Sequence, residues 1–302
     1  MLLGYNTNGL AHHDLLDAVE LLAGIGYRSV AVTIDHGALS PRDPAWPRQL
    51  ADLRRRLGDF GMRSVIETGA RFFLDPATKH EPTLLTADPA ARARRLEFYR
   101  HAIGCAAELE SDCVSLWSGI LRDASPHEAA MSRLVDGLEE VLEYAAEQKV
   151  AIALEPEPGM FIDSMARFDE LLGRLRDPGL KLTLDVGHLH CQGETPIVPR
   201  ITRWAGRLVN VHLEDMRSGI HEHLMFGEGQ IDFPPLLAAF VRAGYQGGLH
   251  VELSRHSHDA PHAARQAYAF LDGLLQNAGS GPPLLPGEGR GEGESPMIPP
   301  CP

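Results

Sequence analysis

The chain has 302 residues, 44% of them hydrophobic and 23% charged, an ordinary balance for a globular protein that buries a substantial core. A formal net charge of −13 excludes a surface built to neutralise a phosphate backbone, because counterion release needs clustered Lys and Arg, so nucleic acid is not an expected partner. No run of eighteen apolar residues and no basic-then-apolar leader occurs, and Cys105, Cys113, Cys191 and Cys301 show no CxxC spacing, so neither a membrane partner nor a disulfide framework is expected and a reducing cytoplasm fits best.

Short apolar runs alternate with amphipathic stretches, the sequence form of repeated βα units around a parallel sheet. LLGYN (2–6) precedes a helical pattern at 12–23, SVAVTI (29–34) one at 45–60, RSVIET (63–68) one at 89–109, and CVSLW (113–117) one at 126–148. VAIALE (150–155) leads to 164–176, LKLTLD (180–185) to a weaker pattern at 195–205, RLVNVH (207–212) to 232–243, and GLHVEL (248–253) to 261–275. Eight such units predict an α/β chain folded as one (β/α)8 barrel over residues 1–277. Gly24, Gly26, Gly61, Gly179, Gly206 and Gly244 stand where helices must stop and the chain turn back into a strand. The connections 69–88 and 213–231 are long, and long loops in compact domains are usually functional. From 278 to 302 the composition turns to Gly, Pro and Glu, which predicts a disordered tail.

Four of the predicted strands end on a potential metal ligand: Glu155, Asp185, His212 and Glu252. Side chains alternate across a strand, so Ala151 and Ala153 share a face with Glu155, Thr183 with Asp185, Asn210 with His212, and His250 with Glu252. These small and polar residues mark the barrel interior, and the C-terminal strand ends surround the mouth where such barrels work. Taken singly, each group reads as a strand-end residue in an ion pair. Together, with Lys and Arg scarce nearby, the carboxylates would be costly to bury without a cation. Three carboxylates and an imidazole make a hard site for one divalent ion, Mn2+, Mg2+ or Co2+, with Zn2+ less natural in the absence of thiolates.

The segments LEPEPG (154–159), LDVGHLH (184–190), VNVHLED (209–215), FGEGQIDF (226–233) and HVELS (250–254) resemble the xylose isomerase-like barrels, a family that includes sugar-phosphate isomerases, ketose 3-epimerases, inosose dehydratases and endonuclease IV. The resemblance covers roughly residues 1–275 in layout. It implies that Glu155, Asp185, His212 and Glu252 hold the metal and that His188 and Arg217 reach the substrate's oxygens. A cation chelating a hydroxy-ketone lowers the pKa of the carbon acid and stabilises the enediolate, and Glu155 and Glu252 would be the carboxylates that remove and return its proton.

Two departures shape the expected reaction. Hydride-moving xylose isomerases carry a lysine two residues after the first metal glutamate, where this chain has Glu157, so proton transfer is expected. Endonuclease IV carries histidines at the ends of the third and fourth strands, where this chain has Glu67 and Trp117, so a multinuclear zinc centre loses its main ligands. Glu67, Trp117 and Glu157 then face the mouth as candidate substrate contacts, with Trp117 able to stack on a carbon skeleton or to plug the barrel. In HEHLMFGEG, His221 and His223 stand where the endonuclease branch has Asp-x-His, and with His188 they could hold a second metal.

Asp35 and His36 could line the pocket or cap a loop, Arg71, Lys79 and His80 could bind an anion or form a solvated lid edge, and His12 and His13 read as helix-start surface residues. His256, His258 and His262 read as solvent-exposed. The expected function is a metal-dependent isomerase or epimerase of a small polyhydroxylated sugar, sugar phosphate or polyol ketone. A dehydratase of a similar substrate is the alternative, followed by a phosphodiesterase for abasic DNA and a non-catalytic sugar-binding barrel. A homodimer is the default expectation for such an enzyme.

Overall fold

The computed structural model describes residues 1–176 and 179–279. Its barrel strands are β1 (Leu2–Asn6), β2 (Ser29–Thr33), β3 (Arg63–Glu67), β4 (Val114–Leu116), β5 (Ile152–Leu154), β6 (Lys181–Asp185) and β7 (Leu208–Leu213). A hairpin of β8 (Asp215–Arg217) and β9 (Ile220–Leu224) intervenes before the last barrel strand, β10 (Gly248–Val251). The barrel closes in the order β1-β10-β7-β6-β5-β4-β3-β2, with every pair parallel. All eight strands expected from the apolar runs are therefore present, forming the α/β barrel that the alternation implied. Covered by helices outside and side chains inside, they read as near-continuous apolar runs, and every residue of β2 is buried.

The surrounding helices are α1 (Leu15–Ile25), α2 (Trp46–Phe60), α3 (Pro89–Leu109), α4 (His127–Glu147), α5 (Met165–Leu172), α6 (Val186–Cys191), α7 (Val198–Trp204), α8 (Phe233–Arg242) and α9 (Ala260–Gly279). The weak pattern at 195–205 is a helix, α7. The short α6 and the hairpin β8–β9 were not expected. Asp14 caps α1 by accepting the N–H of Leu16, so His12 and His13 lie in the turn before the helix instead of in its first turn. The last helix runs to Gly279, two residues past the expected boundary, and the tail expected beyond it lies outside the described residues. No helix among the described residues is long and apolar enough to cross a membrane.

Most of the core lies between strands and helices. Inside the barrel a smaller cluster, Ala31, Val65, Cys113 and Ala153, fills one level. A polar network runs beside it: His250 Nδ1–H donates to Asn210 Oδ1 (2.8 Å), Ser29 Oγ–H donates to His250 Nε2 (2.8 Å), and Ser115 bonds Thr183 (2.9 Å). The His250 ring is why β1 and β10 contain glycines, since a Cβ at either Gly4 or Gly248 would lie 2.3 Å from it. Of the glycines expected at turns, Gly26, Gly61 and Gly244 adopt φ of +128°, +60° and +68°, whereas Gly24 lies within α1.

Candidate metal and active site

The parallel ladder delivers the four strand-end groups to one point. Glu155 follows β5 and its N–H donates to the Leu116 carbonyl (2.8 Å), while Glu252 follows β10 and donates to the Leu213 carbonyl (3.0 Å). Asp185 and His212 stand opposite each other in the β6–β7 register. One donor atom from each of Glu155, Asp185, His212 and Glu252 lies within 4.8 Å of the others.

His212 is 1% exposed and its two nitrogens face different partners. Nδ1 is 2.9 Å from Glu155 Oε1, 2.9 Å from Glu252 Oε2 and 3.9 Å from Asp185 Oδ2. Nε2–H donates to Glu67 Oε1 (3.0 Å), which also accepts from Asn210 Nδ2 (2.9 Å). A carboxylate behind an imidazole fixes its tautomer and turns the other nitrogen's lone pair toward a metal.

Asp185 divides its oxygens. Oδ1 accepts the N–H of His188 (2.8 Å) and so caps α6, whereas Oδ2 is buried without a hydrogen-bond partner. Glu214, with no exposed surface, stands beside it, and its carboxyl finds only that of Asp185, with no N–H or hydroxyl donor on either Glu214 oxygen. Orphaned carboxylate oxygens in a low-dielectric pocket are expensive, and a donor set of three carboxylates and one imidazole fits a divalent cation.

The electrostatics carry the same message. Burial works against a charged His212, yet the carboxylates of Glu155, Glu252 and Glu67 outweigh it and hold the imidazole well above its usual range. Burial pushes Glu155 up to about 8, with His212 opposing and Glu252 and Asp185 adding to the rise. Burial favours a neutral Glu252, but His212 and then His223 and His188 overcome it and hold that carboxyl below its ordinary value. Glu157 and Glu214 are pushed well up, first by burial and then by Glu155 and Asp185 respectively. The cluster thus holds more acid than its imidazoles can neutralise.

The capped turn of α6 carries His188 into the mouth, buried at 4% exposure. Its Nδ1–H donates to the Pro156 carbonyl (3.2 Å), and Nε2 faces His221 Nε2 (3.1 Å), Asp185 Oδ2 (3.5 Å) and Glu157 Oε2 (3.7 Å). Only glycine fits at position 187, immediately before His188, because a Cβ there would meet Glu214 Oε1 at 1.9 Å. The hairpin supplies His221 and His223, and ring nitrogens of His188, His221 and His223 lie within 4.8 Å of one another. His223 Nδ1–H donates to the Glu252 carbonyl (3.0 Å).

The expected substrate contacts separate into two groups. His188 and Glu157 reach the cluster. Glu67 does not face the mouth but lies behind His212, claimed by His212 and Asn210. Trp117 is buried against the Arg95 guanidinium, 5.1 Å from its ring centre, and the His80 ring at 5.0 Å, so it packs the barrel instead of offering a stacking face. Arg217 is exposed on β8 with Nη2 donating to the Glu228 carbonyl (3.2 Å), at the rim and not in contact with the cluster.

Other residues act here without having been singled out. Asn8 Nδ2 donates to Glu252 Oε1 (2.6 Å), and its place just after β1 puts it at the mouth by the logic of the fold. Glu214 stands two residues after His212 and so on the same side of the chain. Asp215 accepts backbone N–H groups of Met216, Gly227, Gly229 and Ile231 (2.9–3.0 Å), which folds the GEG segment around its carboxylate. Arg95 is wholly buried and donates to the carbonyls of Pro82, His80 and Thr68, pinning the third loop.

A closed parallel barrel with acid and imidazole donors gathered at its C-terminal mouth places the chain among the (β/α)8 barrels. The family model of the xylose isomerase-like TIM barrel matches residues 19–274, and the chain belongs to that family. It is 26% identical over 251 residues to an L-ribulose-5-phosphate 3-epimerase of Escherichia coli, covering 82% of this chain and 85% of that one. Among solved structures, a D-tagatose 3-epimerase-like protein superposes with a TM-score of 0.77 at 19% identity, covering 92% of this chain and 98% of the other. The IolI protein with a bound zinc atom gives 0.73 at 18%, covering 93% and 100%.

Proposed function

We propose that the chain is a divalent-metal-dependent epimerase or isomerase of a small polyhydroxylated ketone, a sugar or sugar phosphate, working by proton transfer through an enediolate. The observation that carries this reading is the pair Glu155 and Glu252, each with an oxygen 2.9 Å from Nδ1 of His212 and both beside the unpartnered Oδ2 of Asp185. Inverting a carbon next to a carbonyl requires removing a proton from one face and returning it to the other, which two carboxylates at one site can do. Glu155, Asp185, His212 and Glu252 would hold the ion, manganese, magnesium, cobalt or zinc. When bound, it supplies the positive charge that acidifies the carbon and favours the enediolate.

This chain's side chains do the rest. Asn8 holds one oxygen of Glu252 and leaves the other toward the cluster. His188 and Glu157 orient substrate oxygens, the imidazole offering Nε2 because Nδ1–H is committed to Pro156. The epimerase relatives and the zinc-bearing neighbour support the reading. His188, His221 and His223 are a second donor set, and a second ion there would take His188 from the substrate. Metal analysis separates the two cases: one ion per chain, lost in Asp185→Asn or His212→Ala, against two, with His221→Ala losing one.

The test of mechanism is Glu155→Gln and Glu252→Gln in deuterated water. An amide keeps the shape and one ligating oxygen but cannot accept the proton, so each should lower kcat by roughly a hundredfold or more with metal retained. Deuterium at the inverted carbon without water loss marks an epimerase, and water loss marks a dehydratase. Full turnover by both variants with metal bound rules out the two-carboxylate mechanism.

A further inference from the structure

On the side of the cluster where Asn8 touches Glu252, a cavity of about 210 Å³ opens, far more room than a single water needs. The segments after β1, β2 and β3 form it together with the start of α1, and its polar wall includes Asn8, His13, Thr33, Asp35, His36 and Arg71. Asn8 belongs to both spaces: its Nδ2 donates to Glu252 while its Oδ1 is buried without a partner. His13 Nδ1 is likewise buried and unpartnered. Arg71 Nη2 reaches only the Asn8 carbonyl (3.3 Å), and among the described residues no carboxylate lies within 4.0 Å of its guanidinium. Asp35 is the one carboxylate on the wall, and its Oδ1 already accepts the N–H of His36 (2.8 Å).

We propose that this cavity takes an anionic end group of the substrate, a phosphoryl or carboxylate group, so that the substrate is a charged ketose and not a neutral one. The inference rests on the epimerase reading for the position of the reacting carbons at Glu155 and Glu252. A chain of net charge −13 repels an anionic substrate at long range, so holding one requires a local cation. Arg71 is such a cation, left without an acidic partner where many of the chain's arginines are paired. Its planar fork suits two oxygens of an anion, and the imidazole of the exposed His36 can donate a further N–H bond. A neutral sugar would leave that guanidinium with no anion to pair.

The experiment compares, on metal-loaded enzyme, a ketopentose, its 5-phosphate and a ketose of equal length ending in a carboxylate, in wild type, Arg71→Met and His36→Ala. Inorganic phosphate serves as the probe for binding by calorimetry. The wild type should prefer an anionic substrate in kcat/KM, and Arg71→Met should reduce that preference roughly 10- to 100-fold, the loss of charge-assisted hydrogen bonds. The exposed His36→Ala should show a smaller loss in the same direction and covers the case in which Arg71→Met does not fold. A carboxylate-ended substrate that outperforms the phosphate ester supports the site and assigns the anion. A neutral ketose preferred by wild type, with the ratio unmoved in both variants, overturns the proposal and leaves the epimerase reading intact. Arg71-dependent phosphate binding without turnover of any ketose supports the anion site and overturns the epimerase reading instead.

Discussion

At His212 one ring serves two purposes, and the carboxylate behind it decides which. Glu67 Oε1 takes Nε2–H, so the imidazole presents Nδ1 to Glu155, Asp185 and Glu252 and does not swing toward the barrel floor. Removing the Glu67 carboxyl leaves the three facing carboxylates in place but frees the ring. Glu67→Ala should weaken divalent-metal affinity about 10- to 100-fold, the usual cost of losing such a partner, while Glu67→Gln, which keeps an accepting oxygen, should cost less. Calorimetric titration with manganese measures both. Equal affinity in wild type and Glu67→Ala would show that Asn210 and packing alone orient the ring. The same position shows what strand-end reasoning leaves out: alternation gives the face of the sheet, but not which neighbouring side chain already claims the carboxylate.

Among the elements, regular ones were legible and short ones were not. Buried parallel strands announce themselves as apolar runs such as SVAVT, and long helices by their repeat, so the barrel and the four strand-end ligand candidates could be read directly. The six-residue α6 is too short to show a period. The strand IHEHL is polar and partly exposed, so it lacks the apolar alternation that marks a strand. Trp117 was read as a mouth residue because nothing in the sequence shows that Arg95, 22 residues earlier on α3, buries its charge against that ring. Arg95 fixes the long third loop, since its guanidinium satisfies three loop or strand-end carbonyls and finds ring faces at 5.1–5.6 Å. Arg95→Met keeps most of the volume but orphans those carbonyls, at about 1–3 kcal/mol per buried unsatisfied group. Urea unfolding should therefore show a loss of about 3 kcal/mol, and a loss below about 1 kcal/mol would mean that the loop is held by other contacts.

For the whole molecule, histidines held neutral by burial contribute one separable part of the response to acid. Burial pushes His80 down to about 4, against the opposing pull of its bond to the Gly69 carbonyl (2.6 Å), with Lys79, Arg95 and Arg71 adding to the fall. Burial likewise takes His188 down to about 4 and His250 to about 3. In the unfolded chain these rings titrate near 6.5. Between about pH 6.5 and pH 4 these three rings therefore bind more protons unfolded than folded, and their contribution to stability falls as pH falls through that window, whereas the raised carboxyls of Glu155, Glu157 and Glu214 contribute with the opposite sign. Below about pH 4 the contribution of His80 levels off, because the folded ring then accepts a proton too. His80→Gln retains an N–H donor for the Gly69 carbonyl but cannot titrate, so its melting temperature should decline less steeply than that of the wild type from pH 6.5 to 4. Acid also releases metal as its carboxylate and imidazole ligands protonate. Both proteins share that loss, so it cancels in the difference between their two melting curves at matched metal concentration. Parallel curves across the window would show that His80 is protonated in the folded protein and that its burial does not hold it neutral.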